Sequence, residues 1–399
     1  MSKDNSKIHI DVIIVGGGPA GSACARDLAL AGWRVAILDK AEFPRDKLCA
    51  GWVPPSLFRR IGIAPSEYPG GLREYHWLNF RIKGLPIPLP TRQYAIRRYE
   101  FDHWLLQRSG AELYQHHVHK IERVDGSRED DCANQTRTGR KLAEEPRRKQ
   151  RKIHPKACFL IDDRFTCRYL VGAGGTGCPI AAWQRKDAGV KRSRESLIVT
   201  LEAEFPYPFE NRSCYLRFFD HGLAGYSWYF PKADGYLTIG IGGKQAALSR
   251  RGETIREHWD KFVLRLNRTG LIKGRPWKNR PETAGAKSGG TKSGEQGRLP
   301  TPAGHSYYLR SSDQATQECR AAPEGHLFLI GDAAGFATID MGEGIEPAVH
   351  SGRLTARAII EGRPLRIEPV KRHSLPDILR PGPGTGPEAN LHSDKGAQQ

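Results

Sequence analysis

Apolar positions in this chain come mostly as short runs and alternations. The first run, Val12 to Val15, is the pattern of a strand buried on both faces. Gly16-Gly-Gly-Pro-Ala-Gly21 follows, then a helical pattern over Ser22 to Ala31 with Gly32 as its stop, and a second strand over Trp33 to Leu38 ending in Asp39. Trp52 to Ile63 suggests a short helix. Tyr75 to Arg97 alternates and carries Pro86, Pro88 and Pro90, as edge strands and turns do. Phe101 to Arg108 places Phe101, Trp104 and Leu105 on one helical face, and Ala111 to Val124 suggests a strand pair. Two strands lie within Ala157 to Val171, around a turn at Asp162-Asp163. Leu197 to Phe205, Cys214 to Phe219, Gly225 to Pro231 and Tyr236 to Ile241 form an aromatic-rich antiparallel set. A helix over Thr254 to Leu266, a buried strand over Leu327 to Ile330 and a helix over Glu346 to Ile360 complete the pattern.

Between these elements lie polar stretches. Ser127 to Lys156 is nearly free of large apolar residues, Arg280 to Thr301 is rich in Gly, Lys, Ser and Thr, and Gly362 to Gln399 is rich in Pro, Gly and charge. Their composition suggests excursion loops and a disordered tail. They account for an overall hydrophobic fraction of only 38% in 399 residues. The net charge of +18 is concentrated in Arg137 to Lys156 and Arg185 to Arg194. Such blocks read first as solvated loops, with peripheral contact to an anionic membrane or non-specific attraction to nucleic acid as the alternative. No nucleic-acid-binding motif accompanies them, so no specific nucleic acid is expected. No apolar run is long enough to span a membrane, and the polar N-terminus lacks a signal-peptide core, so a cytoplasmic location is expected. The eight cysteines are scattered with no C-x-x-C pair, so no metal site is expected.

Candidate chemistry starts at Gly16, Gly18 and Gly21, spaced G-x-G-x-x-G between a strand and a helix, with an acid about 20 residues on. The helix N-terminus offers unpaired N–H groups to a pyrophosphate, and Asp39 suits ribose hydroxyls. The loop Phe43 to Gly51 leaves the end of the second strand and should pass near the cofactor. Its Cys49 is either a small buried residue or a thiol near the reacting centre, tuned by Arg45 and Lys47. Tyr226, Trp228 and Phe230 either pack a core or line an apolar pocket. Gly172 to Gly177 repeats the glycine spacing but runs into Cys178-Pro179 and not into a good helix. A turn approaching the first cofactor fits it better than a second nucleotide fold. Asp332 after Gly331 is either a helix N-cap or a ligand.

Taken together, three separated motifs resemble flavoproteins with the p-hydroxybenzoate hydroxylase fold. They are Gly16 to Gly21 with Asp39, Arg98 with Phe101-Asp102, and Gly331-Asp332 with Gly342 to Ile345. Pro44 to Cys49 matches Pro-Arg-x-Lys-x-Cys, and Gly225 to Pro231 matches Gly-Tyr-x-Trp-x-Phe-Pro, both features of the geranylgeranyl reductase family. The resemblance implies an α/β architecture, α+β overall: a Rossmann-like FAD-binding domain on a parallel sheet plus an antiparallel-sheet substrate domain. The FAD-binding part would comprise residues 8–74, 98–180 (with the polar insertion 127–156) and 323–362. The substrate part would comprise 75–97 and 181–322 (with loop 280–301), and 363–399 would be tail. It further implies FAD held by Gly16, Gly18, Ala20 and Gly21 at the pyrophosphate and Asp39 at the ribose. Arg98 (or its neighbour Arg97) would stand on the phosphate side, with Val118 at the adenine, Asp332 at the ribityl chain, and Gly344 and Ile345 at the flavin. Cys49, Ala50 and Gly51 would flank the cofactor, with Cys49 the candidate catalytic residue and Tyr226, Trp228 and Phe230 the substrate pocket. The implied activity is reduction of carbon–carbon double bonds in an apolar, isoprenoid-like molecule, with NAD(P)H or a reduced ferredoxin-like protein as electron donor. Gly174-Gly175 stands where hydroxylases of the fold carry Asp-Gly, and the halogenase signature Trp-x-Trp-x-Ile-Pro is absent. A flavin monooxygenase using NAD(P)H and oxygen is the enzymatic alternative, and a non-catalytic binding protein derived from a flavoprotein is the alternative of another class.

Overall fold

A computed structural model describes residues 7–124, 158–189, 191–273, 300–310 and 325–379. The insertion at 127–156, most of 280–301 and the last twenty residues lie outside them, as do Cys132 and Cys319. Two sheets carry the fold, of seven and eight strands.

The first sheet is built on β1 (Ile8–Val15), flanked in parallel by β2 (Val35–Asp39) and, on its other side, by β9 (Phe165–Gly172). Residues Val12 to Val15 are buried on both faces, which is why the run does not alternate. β6 (Glu112–Gln115) extends the sheet beyond β2, and β15 (Leu327–Leu329) pairs in parallel with the far end of β9. β7 (Ile121–Val124) and β8 (Cys158–Ile161) close the sheet antiparallel. The β8–β9 turn holds Asp162 and Asp163 at φ of 48° and 54°, as a tight hairpin turn with right-handed strand twist requires. β6 and β7 do not pair with each other, although their sequence suggested a strand pair: one follows β2 and the other β8.

The second sheet is ordered β14-β10-β13-β12-β11-β4-β5-β3. Its strands are β3 (Trp52–Val53), β4 (Leu72–Ile82), β5 (Leu85–Ile96), β10 (Leu197–Pro206), β11 (Cys214–Phe218), β12 (Gly225–Pro231), β13 (Tyr236–Lys244) and β14 (Ala303–Tyr308). It is antiparallel except where β11 runs parallel to β4. Beyond Pro86, Pro88 and Pro90 the sheet is open, since β3 reaches only Tyr94 and Ala95; β4 itself is interior.

The helices are α1 (Pro19–Leu30), α2 (Pro55–Arg60), α3 (Arg98–Gln107), α4 (Pro179–Ala188), α5 (Gln245–Arg250), α6 (Ile255–Arg268), α7 (Ile345–Glu361) and α8 (Leu375–Leu379). Three differ from expectation. Pro54-Pro55 cannot sit inside a helix, so Trp52 to Ile63 splits into β3 and α2, with Pro55 in the first turn. Cys178-Pro179 does open a helix, α4, because proline is tolerated at the first helical position. From Gly362 to Leu379 the chain does not leave the body: Ile367 and Val370 are buried, Arg310 donates to the Ile367 carbonyl at 3.1 Å, and α8 packs on β5. That stretch is bound by polar contacts to Arg310, Asp340 and Glu343, which hydropathy does not register.

α7 lies directly on α1. A Cβ at Gly352 would stand 2.2 Å from the Ala20 carbonyl oxygen, so only glycine allows this approach. Gly352→Val is expected to lower stability by about 3 kcal/mol or more, read as a reduced urea midpoint. Leu264→Ala, on the exposed side of α6, is expected to stay within about 0.5 kcal/mol of the parent. An unchanged midpoint for Gly352→Val would mean the helices can separate freely.

Candidate cofactor and substrate site

Between the two sheets lies a cavity of about 570 Å³, well within the size of small-molecule sites. Gly16, Gly18, Ala20, Asp39, Cys49, Arg98, Val118, Asp332, Gly344 and Ile345 all line it, so most residues chosen from sequence converge on one space. Gly21 does not. A Cβ there would stand 2.0 Å from the Gly16 carbonyl oxygen, so its role is close packing of α1 against β1. Gly16 takes φ of 116°, and a Cβ on it would strike the Ala173 carbonyl at 2.5 Å; the turn after β1 must be glycine.

Each wall has its own chemistry. α1 begins at Pro19 with no side-chain cap, leaving its first N–H groups and its positive dipole end on the cavity. Asp39 accepts from the Gly17 N–H at 2.7 Å and the Ala41 N–H at 2.9 Å. It therefore clamps the glycine loop, and a carboxylate keeps lone pairs for a ribose. Arg98 Nε and Nη2 meet the two Asp102 oxygens at 2.6 and 2.7 Å, and Asp102 also attracts Arg45 at 3.5 Å. Burial alone would lower the Arg98 guanidinium, but Asp102 and then Cys49 reverse this and raise it. Of the two neighbouring arginines, Arg98 is the one on the cavity; Arg97 pairs with Glu100 and Glu204 and lies over the Tyr236 ring. At the other end Asp332 Oδ1 faces the Gly344 backbone, 3.3 Å from where a Cβ would be. Here α7 starts, so a second helix N-terminus points into the same cavity.

A second, smaller cavity adjoins the first. Cys49, Gly342, Gly344 and Ile345 line both, and Ala50, Trp52, Leu216, Tyr226, Phe230 and Ile378 line the second. Trp52 stacks on Phe230 with centroids 4.5 Å apart. Tyr226 donates to the Met341 carbonyl, and burial, foremost, raises its phenol. Besides Gly21, two expected residues fall outside both linings. Trp228 is buried in the core against Gly240, which has no side chain to hold it off. Gly51 packs behind the loop: at φ of 64°, its Cβ would lie 2.1 Å from the Ile96 carbonyl oxygen.

The cavity also holds residues that sequence reasoning passed over. His116 and His117 join Val118, while Arg45 and Lys47, expected beside Cys49, line the cavity with it. His305, Ser306 and Tyr307 come from β14. That strand reads Ala-Gly-His-Ser-Tyr-Tyr and has no apolar run; alternation of His305 and Tyr307 was the available signal. Thr176 donates to the Ser306 carbonyl at 2.7 Å and ties the second glycine turn to β14. Three carboxylates around Lys371, on Glu343, Glu346 and Asp377 at 2.5, 3.3 and 2.8 Å, neutralise its charge at the edge of the second cavity.

The donor set suits FAD: two helix N-termini for anionic parts, a glycine turn that admits no side chain, an acid at one end and an acid with free backbone N–H groups at the other. Asp332→Ala is expected to weaken FAD retention about 10- to 100-fold, since hydrogen bonds to a charged group contribute about 1.5–3 kcal/mol. Release of flavin fluorescence on dilution measures this. Retention equal to the parent would remove Asp332 from the site.

Residues 11–83 match the model of a family described as FAD dependent oxidoreductase. A digeranylgeranylglycerophospholipid reductase of Methanosphaera stadtmanae is 25% identical over 371 residues, covering 89% of this chain and 80% of that protein. A menaquinone reductase of Mycolicibacterium smegmatis is 26% identical, covering 88% of this chain and 76% of that protein. Among solved structures, a geranylgeranyl bacteriochlorophyll reductase-like protein of Thermoplasma acidophilum superposes with a TM-score of 0.59 at 20% identity, over 90% of this chain and 80% of that one. The chain is thus an FAD-dependent oxidoreductase by its N-terminal match, its cofactor is FAD, and over most of its length it resembles the geranylgeranyl reductases.

Proposed function

We propose that this chain reduces carbon–carbon double bonds in an apolar, isoprenoid-like substrate. The observation that carries the reading is the shared wall: Cys49 and the start of α7 border both the cofactor cavity and the aromatic cavity beside it. FAD, held by Gly16, Gly18, Asp39, Arg98 and Asp332, would supply hydride chemistry there, with NAD(P)H or a reduced ferredoxin-like protein as the electron donor. The chain's own residues do the rest. Trp52 and Phe230 offer stacked apolar surface that excludes water and places a hydrocarbon against the shared wall. The α7 N-terminus stabilises negative charge at the flavin end of the cavity. Cys49, whose Sγ receives the Gly51 N–H at 3.4 Å and lies by Arg98, is the candidate proton donor or redox thiol.

The route to the aromatic cavity also supports an apolar substrate. Leu216 of the cavity pairs with Phe80, Phe80 with Ile87, and Phe218 with Ile82, which faces Leu85 at the hairpin tip. These side chains share one face of the sheet, and exposure rises along it, with Leu85 70% exposed. Lys83 and Arg81 stand at the same tip. This is a path by which a hydrocarbon chain leaves an anionic membrane for the cavity, and no helix among the described residues is long and apolar enough to cross one.

Under anaerobic conditions, FAD-loaded protein reduced chemically is expected to be reoxidised by a polyprenyl substrate. Phe230→Ala should slow this about tenfold or more. Absence of reoxidation, with NAD(P)H-driven oxygen consumption stimulated by substrate, would favour a monooxygenase instead. The double variant Leu85→Asp, Ile87→Asp is expected to lose cosedimentation with phosphatidylglycerol vesicles while turning over a short, soluble prenyl compound at the parent rate. Undiminished cosedimentation would remove the hairpin as the contact.

A further inference from the structure

Glu202 is a carboxylic acid with no evident employment. It lies on β10, 1% exposed, and neither oxygen takes part in a hydrogen bond among the described residues. Its strand neighbours explain this. Glu204, two residues on along the same face, takes the donors: Lys232 Nζ at 2.5 Å, Thr238 Oγ1 at 3.0 Å and Arg97 Nε at 3.0 Å. Lys232 is wholly buried and committed to that pair. Opposite Glu202 stand Gly240 on β13 and Ala303 on β14, neither of which offers a polar side chain, and the Trp228 ring takes the space over Gly240.

An imidazole stands beside Glu202. His305 Nδ1 is 3.5 Å from Glu202 Oε1 and 2.8 Å from Thr200 Oγ1, and His305 is among the residues lining the cofactor cavity. The other groups acting on Glu202 are Lys232 after β12, Lys47 from the loop before β3, Glu204 on its own strand and Arg98 on α3. Tyr226 of β12 and Tyr307 of β14 feel its charge in turn. Burial outweighs the three cations and pushes Glu202 up to about 8, so it carries its proton at neutral pH. Burial, with Lys47 and Arg98, holds His305 down to about 3, so its ring is neutral. A neutral ring with one N–H and one bare nitrogen can accept a proton on one side and release one on the other.

We propose that Glu202 is the buried acid that, through His305, delivers a proton to the cofactor cavity. The Thr200 hydroxyl, which also donates to the His305 carbonyl at 3.2 Å, first turns off Nδ1; the O–H bond of Glu202 then breaks as an N–H bond forms at His305 Nδ1, and the N–H at Nε2 breaks as its proton passes to water or an acceptor in the cavity. Glu202 is left as a carboxylate and His305 with its proton on Nδ1; both are restored when Nε2 takes a proton from cavity water and Nδ1 returns its own to Glu202. In the proposed double-bond reduction, one carbon takes the hydride and the other takes this proton. The inference rests on that reading for its substrate, though not for the acid itself. Glu202 acts through His305 and is a positioning and relay group; Cys49 stays the candidate at the shared wall.

Three measurements test it on the FAD-loaded protein. The infrared difference between parent and Glu202→Gln at pH 7 should contain a protonated-carboxyl C=O band that fades as pH is raised through about 8; Glu204→Gln should retain that band. Polyprenyl reduction by the parent should fall above pH 8, while Glu202→Gln should be slowed at least tenfold at pH 7 with KM unchanged and that alkaline limb gone. His305→Phe should show the same loss of rate while keeping the carboxyl band. The relay is overturned if the band is missing, or if Glu202→Gln keeps the parent rate and alkaline limb. If the parent reduces no polyprenyl compound, the proposed substrate fails, and the flavin potential against pH decides the relay. A break near pH 8 present in the parent and absent from Glu202→Gln supports it; identical lines overturn it.

Discussion

The site depends on one close contact, the seating of α7 on α1 through Gly352 and Ala20. With no side chain between the helices, their N-termini approach the same space from two directions. Each brings backbone N–H groups and a partial positive charge to the cavity, although in α7 the Glu346 N–H is taken by Glu343 at 3.1 Å. α1 is announced in the sequence by its glycine turn, a recognisable fingerprint. α7 supplies the second half. The Gly331 turn, at φ of 59° and packed on Ala20 and Ala348, sets Asp332 beside the start of α7. Remove the contact between the helices, and Asp39 and Asp332 no longer bound one cavity.

The second sheet serves the site by confining charge. Its cavity-facing side carries Glu202, Glu204, Lys232 and His305 under Tyr226 and Phe230. A buried ion pair of this kind adds little net stability, because desolvation offsets attraction. What it fixes is geometry: Glu204 anchors Lys232, which backs Gly51 at 2.8 Å from its would-be Cβ and so supports the loop that presents Cys49. Around α7 the same logic applies. Glu346 is held below the usual carboxylate range; burial opposes this, but Lys371 and Arg60 prevail. Two acids can then sit at the start of a helix beside an apolar cavity.

The cofactor half was legible because its constraints are local. A buried strand, a glycine turn and an uncapped helix fall within some thirty residues, and the chemistry of a pyrophosphate requires them in that order. The substrate half was legible only in part. Tyr226, Trp228 and Phe230 alternate on one face, yet Trp228 settles over Gly240 into the core; which aromatic meets the cavity depends on a residue one strand away. β14, with its His305 and Tyr307, left no hydropathy signal. The ordered stretch after Gly362 was hidden for a different reason, since it is held by Arg310, Asp340 and Glu343, three contacts distant in sequence. Long-range polar contacts cannot be read from a single window of residues.

The central claim is that the cofactor cavity and the aromatic cavity share one wall. The direct measurement is a titration of FAD-loaded protein with a non-reducible polyprenyl ligand, following the flavin absorption spectrum. The account predicts a saturable shift of the flavin bands with the same midpoint as quenching of tryptophan fluorescence. Saturable quenching with an unmoved flavin spectrum would place the ligand away from the cofactor and contradict it.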